Sequence, residues 1–156
     1  MIKIVELIEG PGVTVTRGTP VSEVLTRLLQ MEHDAAAVLD AKGDFIGVVG
    51  IREVLRTIVP AHVYLDPKLA SMVHDGYFED RFDRIKDTAT ERLMDTTIEV
   101  LTPKSSVLKA VALIIENRRK TIPVVDGKKY LGMVTRKSLL TRVLDSLPES
   151  LKEPRP

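Results

Sequence analysis

The sequence contains no cysteine and no tryptophan. The first absence excludes disulfides, thiolate metal ligands and cysteine nucleophiles together. Aromatic residues supply only 4% of the chain, so its core has to be aliphatic, built from Val, Leu, Ile and Ala. No apolar run approaches the ~20 residues that span a bilayer. The opening MIKIVELIEG carries acidic residues and lacks the apolar stretch of a signal peptide. An excess of one charge is also missing, with 23 Lys and Arg against 22 Asp and Glu for a net +1. A chain so balanced has no global attraction to nucleic acid or to an anionic membrane. The G-x-S-x-G, P-loop, G-x-G-x-x-G and H-E-x-x-H motifs are absent as well, so no enzyme is expected. His33, His62 and His74 fall at no helical ligand spacing, and surface or cap roles are expected even where Asp66 and Asp75 lie nearby. A cytoplasmic protein that requires no cofactor is the expectation.

What the chain does have is a repeat. Val13 to Leu55 runs in parallel with Ile98 to Leu140. Val21 answers Val107, Ala37-Val38-Leu39-Asp40 answers Pro123-Val124-Val125-Asp126, and Gly47-Val48-Val49 answers Gly132-Met133-Val134. The match extends backwards, because VELIEGPGVTV and ERLMDTTIEVL each place a short apolar lead before the first strand. Each copy reads strand, helix, strand, strand, helix. Val21, Val24, Leu25, Leu28 and Leu29 follow helical spacing, as do Val107, Leu108, Val111, Ile114 and Ile115. Thr19, with Ser22 and Glu23 behind it, offers side chains to cap the first helix, and Ser105-Ser106 offers them to its counterpart. Short apolar runs at Ala36 to Leu39 and Ile122 to Val125 are of buried-strand type. Neither copy can bury its sheet alone at this size. An α/β (α+β) fold of two pseudo-symmetric copies packed face to face is expected.

These repeated elements, with I-P-V-V-D-G at Ile122 to Gly127, G-M-V-T at Gly132 to Thr135, and A-V-L-D and G-V-V-G in the first copy, resemble the CBS motif. The resemblance implies a tandem pair, a Bateman module, that is regulatory rather than catalytic and forms a homodimer through its helices. It divides the chain into a first motif at 1–59, a helical linker at 60–90, a second motif at 91–147 and a flexible tail at 148–156. It further implies AMP, ADP or ATP as ligand in a cleft between the motifs. The family's G-h-h-[ST]-x-x-[DN] signature would place Thr135 on a phosphate, with Ile122 and Pro123 against the adenine. Ser138 stands where Asp or Asn would hold the ribose, Gly50 replaces the hydroxyl in the first copy, and Glu53 is that copy's ribose carboxylate.

Arg118, Arg119 and Lys120 before the second copy's apolar strand, and Arg136 and Lys137 after Thr135, read either as neutralisers of a phosphate tail or as solvated helix ends. Their lack of interleaved aromatics makes nucleic acid an unexpected partner. The alternatives to a nucleotide sensor are a ligand-free interaction or dimerisation scaffold and, with less support, a binder of S-adenosylmethionine, of a metal or of nucleic acid. Either module would act through an effector protein of unknown identity. Residues 60–90 read as a linker with a solvated charged face, against a second reading as a partner contact around Tyr77, Phe78 and Phe82.

Overall fold

The computed structural model describes residues 1–152. The chain forms mixed α/β structure in two compact units, Val13–Ile98 and Met1–Gly12 with Glu99–Pro156.

The Val13–Ile98 unit holds β1 (Val13–Thr16), α1 (Val21–Met31), β2 (Ala35–Leu39), β3 (Phe45–Gly50), α2 (Ile51–Ile58), α3 (Ala61–Leu65) and α4 (Tyr77–Ile85). β1 pairs parallel with β2, and β2 antiparallel with β3. Val13, Val15, Ala36, Val38 and Val49 of this sheet bury against Val24 and Leu28 of α1. Val21, Val54, Ile58 and Ile85 make a second cluster, so α4 of the linker packs on α1 and α2. By contrast α3 and the 3-10 turn Pro67–Met72 bury no residue.

The expected side-chain cap on α1 is not there. Its N-cap is Pro20 without a side-chain bond. The Val21 and Ser22 amides donate instead to the carbonyls of Thr88 and Lys86, at 3.0 and 2.9 Å. The orphan donors of a helix start need partners, and here the end of the linker provides them. The counterpart helix, α5 (Val107–Asn117), uses the expected Ser106, whose hydroxyl accepts from the Lys109 amide at 3.1 Å.

The other unit adds β4 (Thr121–Asp126), β5 (Lys129–Thr135) and α6 (Arg136–Asp145) to α5. β4 and β5 form an antiparallel hairpin joined by Gly127-Lys128, with Gly127 at φ 64° as a tight hairpin turn requires. Its core collects Leu101, Leu113, Ile122, Val124 and Val134 with Ile4 and Leu7 of the N-terminal lead.

Each lead packs in the unit of the copy it does not precede. Ile8 bridges Val134 and the 3-10 turn Ile4–Leu7 belongs to the core around β4, whereas Asp95 of the second lead bridges Val48 of β3. The compact units therefore cut the chain after Gly12 and Ile98. Two glycines make room for these leads. A Cβ on Gly47 would lie 2.9 Å from Asp95 O, and one on Gly132 would run into Ile8 and lie 2.7 Å from Gly10 O. Of the tail, Glu149–Leu151 forms a 3-10 turn, and residues 153–156 lie outside the described residues.

Candidate functional site

The candidate site lies where β5 turns into α6. Apolar and β-branched residues carry the strand to Val134, and the helix-forming run RKSLLTRVLD takes over at Arg136. Thr135 between them is the N-cap, with extended backbone at φ −112° and ψ 160°. Its Oγ1 accepts from the Ser138 amide at 2.8 Å, while the Thr135 amide donates to Ser138 Oγ at 2.9 Å. This is a reciprocal capping box. Ser138, standing where a ribose carboxylate was expected, is engaged in holding the helix start.

Ile122 and Pro123 are buried on β4, opposite Val134 and Met133 of β5. The Arg136 amide donates to Lys120 O at 3.1 Å, which fixes the start of α6 beside the start of β4. Arg118 ends α5 in the left-handed region at φ 51°, and the chain turns there so that Arg119 and Lys120 lead into β4. The structure thus brings Thr135, Arg136, Ser138, Ile122, Pro123 and Arg119 into one unit. Glu53 lies in the first turn of α2 in the Val13–Ile98 unit, 8% exposed.

A residue missed in the sequence completes the site. Glu9 Oε2 accepts from Thr135 Oγ1 at 2.8 Å, so the hydroxyl expected on a phosphate already meets a carboxylate. The signal was available in the lead repeat, which sets Glu9 opposite Asp95. What hid it was the exchange of leads between the units. Beside this contact lies an open groove of about 340 Å³ lined by Glu6, Ile8, Lys137, Thr141, Arg142 and Asp145 together with Glu9 and Ser138. Glu6 spans its far side, accepting from the Lys3 amide at 2.6 Å and from Arg142 at 3.0 Å. These bonds, the Lys3 amide first, hold its carboxyl below the ordinary range. Tyr130 donates to Pro11 O at 3.0 Å, and burial pushes its phenol up to about 12.

The corresponding turn in the first copy is closed. Gly50 is the N-cap of α2, and the Ile51 amide donates to Asp34 O at 3.1 Å. A Cβ on Gly50 would run into that same carbonyl, so no hydroxyl side chain fits there. His33 and Asp34 occupy the places of Arg119 and Lys120, and Ile51 that of Arg136, so that Arg52 at the place of Lys137 is the first copy's one basic counterpart at this turn.

A family model for the CBS domain matches residues 6–60 and 89–145. The chain belongs to the CBS-domain family. A CBS domain-containing protein of unknown function from Bacillus anthracis has the same fold at a TM-score of 0.72, with 20% identity over 94% of this chain and 96% of that one. A second CBS protein, CBSX2, solved in complex with AMP, aligns at a TM-score of 0.69 with 18% identity, covering 93% of this chain and 98% of that one. An uncharacterized protein of Methanocaldococcus jannaschii is 22% identical over 92% of both chains. No helix among the described residues of this CBS module is long and apolar enough to cross a membrane.

Proposed function

We propose that this CBS pair is a non-catalytic regulatory module whose ligand is an adenine nucleotide, AMP, ADP or ATP, bound at the start of α6. The observation that carries the reading is the threonine N-cap Thr135 at a helix start whose neighbours include Arg119, Lys120, Arg136 and Lys137, with an open groove lined by Lys137 and Ser138 next to it. A helix N-terminus favours an anion through its amides and dipole, and the basic side chains add to that field. Ile122 and Pro123 supply the apolar neighbourhood for a base. The AMP-bound state of CBSX2 supports the same ligand class. Exposed Leu108 and Ile115 on α5, and Leu140 and Leu144 on α6, favour a homodimer that stacks helices. Nucleotide binding would act by shifting the population of such an assembly, which an effector protein then reads.

A ligand-free interaction scaffold is the second reading. It is favoured by the closed Gly50 turn and by the internal partners already made by Thr135 and Ser138.

Thermal unfolding with AMP, ADP, ATP, GTP and S-adenosylmethionine separates the two. A ligand at about 100 times its Kd stabilises by roughly 2.7 kcal/mol, a rise of roughly 5–10 °C for a chain of this size. A rise with adenine nucleotides that Arg136→Ala abolishes is the expected result. No rise with any adenine ligand would sink the sensor reading and favour the scaffold.

A further inference from the structure

The carboxylate of Glu9 stands where the nucleotide reading puts a phosphate. Thr135 Oγ1 has one proton to donate and gives it to Glu9 Oε2, while the same oxygen accepts from the Ser138 amide. The hydroxyl is therefore already in use on both sides. A helix start attracts one anion strongly at this position, and a second negative group a few ångströms away would be repelled by the first.

The lead that carries Glu9 is tied down at its backbone. The Glu9 amide donates to Met133 O at 3.0 Å, and Ile8 bridges Val134. Gly132, at φ 148°, leaves the space in which Ile8 and Gly10 lie. The Glu9 side chain, in contrast, is exposed and can turn without moving any of these bonds. The contact is made by one exposed carboxylate on a backbone held by these bonds.

We infer that Glu9 is a built-in competitor for the anion position of α6, so that a phosphate-bearing ligand binds only by displacing its carboxylate from Thr135. The inference rests on the nucleotide reading of the site and specifies its regulation. It gives the site a raised threshold, in which occupancy requires a ligand concentration set by the internal carboxylate as well as by the pocket. It also assigns the selectivity of the site to charge. Adenosine, which brings no phosphate, does not meet the carboxylate and is insensitive to its removal.

The test is calorimetric titration of the full chain with AMP, ATP and adenosine, using wild type, Glu9→Gln and Glu9→Asp. Glu9→Gln keeps the size of the side chain and removes its charge, and Glu9→Ala serves as a second variant at this exposed position. The expected result is an affinity for AMP and ATP about tenfold higher in Glu9→Gln and Glu9→Ala. Glu9→Asp stays near wild type, and adenosine binding is the same in all four proteins. If wild type binds AMP and the neutral variants bind it no more tightly, the competitor is overturned while the nucleotide site stands. If neither wild type nor the neutral variants bind any adenine nucleotide, the nucleotide reading falls and the competitor falls with it.

Discussion

In one copy β3 runs into α2 through Gly50, and in the other β5 runs into α6 through Thr135. The first copy's sheet has three strands and the second's two, with only the Leu101–Val124 bridge where β1 would stand, yet the turns share several features. Both strand pairs carry a register shift at the same place, after Val38 and after Val124. Both first helices end on a non-glycine residue in the left-handed region, Glu32 at φ 55° and Arg118 at φ 51°. In both, the first amide of the second helix reaches back to the residue before the apolar strand, at 3.1 Å in each case. Against that common frame the chemistry diverges. One turn has no room for a side chain and sits beside Asp34, while the other has a hydroxyl, a capping serine, a carboxylate from the lead and a basic run. The two turns share their backbone hydrogen bond, and only the second leaves space for a side chain.

The strongest way to break this comparison is to force the first copy to look like the second. Gly50→Thr would drive a Cβ into Asp34 O, just before β2, and press it to 3.0 Å from Cα of Ala35, the first residue of that central strand. Overpacking of this kind costs about 1–3 kcal/mol, or a fall of roughly 2–10 °C in Tm. Thermal unfolding checks it. A Gly50→Thr protein that melted with wild type would show that the first copy could have carried the signature, and that space was not what removed it.

Removing the caps sharpens the comparison from the other side. Thr135→Ala deletes the acceptor of the Ser138 amide, and Ser106→Ala the acceptor of the Lys109 amide. Each should cost about 1 kcal/mol, a loss of about 2–4 °C. Ser22→Ala should change Tm much less, because the start of α1 is closed by the carbonyls of Thr88 and Lys86. Equal losses at Ser22 and Ser106 would mean that the two helices start alike after all. For ligand work, Thr135→Ser is the partner of Thr135→Ala, since it keeps the hydroxyl.

The cap on α1 also shows where the sequence stops being legible. Helical spacing at Val21 to Leu29 and Val107 to Ile115 locates both first helices, because burial on one face imposes that period. Ser106 was legible as a cap because its partner lies three residues away. The cap on α1 was not, because its partners come from residues some sixty positions later in the chain, and no local pattern encodes a contact that distant. Glu9 was hidden for the same reason. Its partner Thr135 is 126 residues away, and the lead that carries it packs against the other copy. Thr135 and the apolar pair Ile122-Pro123 were legible as a constellation, since β4 and β5 are neighbours joined by a short turn. Glu53 was read as the first copy's own ribose carboxylate, and the structure places it in the first turn of α2 in that copy's unit.

The exchange of leads makes a last and smaller prediction, one that each unit tests by itself. Each lead brings a carboxylate that receives a backbone amide. Glu91 accepts from Gly18 at 2.7 Å, and Glu6 accepts from Lys3 at 2.6 Å and also from Arg142. The Gly18 amide in the first case and the Lys3 amide in the second hold these carboxyls below their ordinary value of 4.5. Because the folded value lies below the unfolded one, the charged form is favoured by folding. The contribution is therefore complete above about pH 4.5 and is lost as the pH falls through the lowered folded values. Both side chains are exposed, so solvent screens the effect and the change is expected to be small. Hydrogen exchange resolves it by unit. The Gly18 amide should lose protection on acidification in wild type and be poorly protected at every pH in Glu91→Gln, while Glu6→Gln leaves Gly18 unchanged. If Gly18 stayed protected well below the carboxylate range, the second lead would be held on the first copy by its Asp95–Val48 bridge and the Thr90–Thr19 bonds without help from the charge of Glu91.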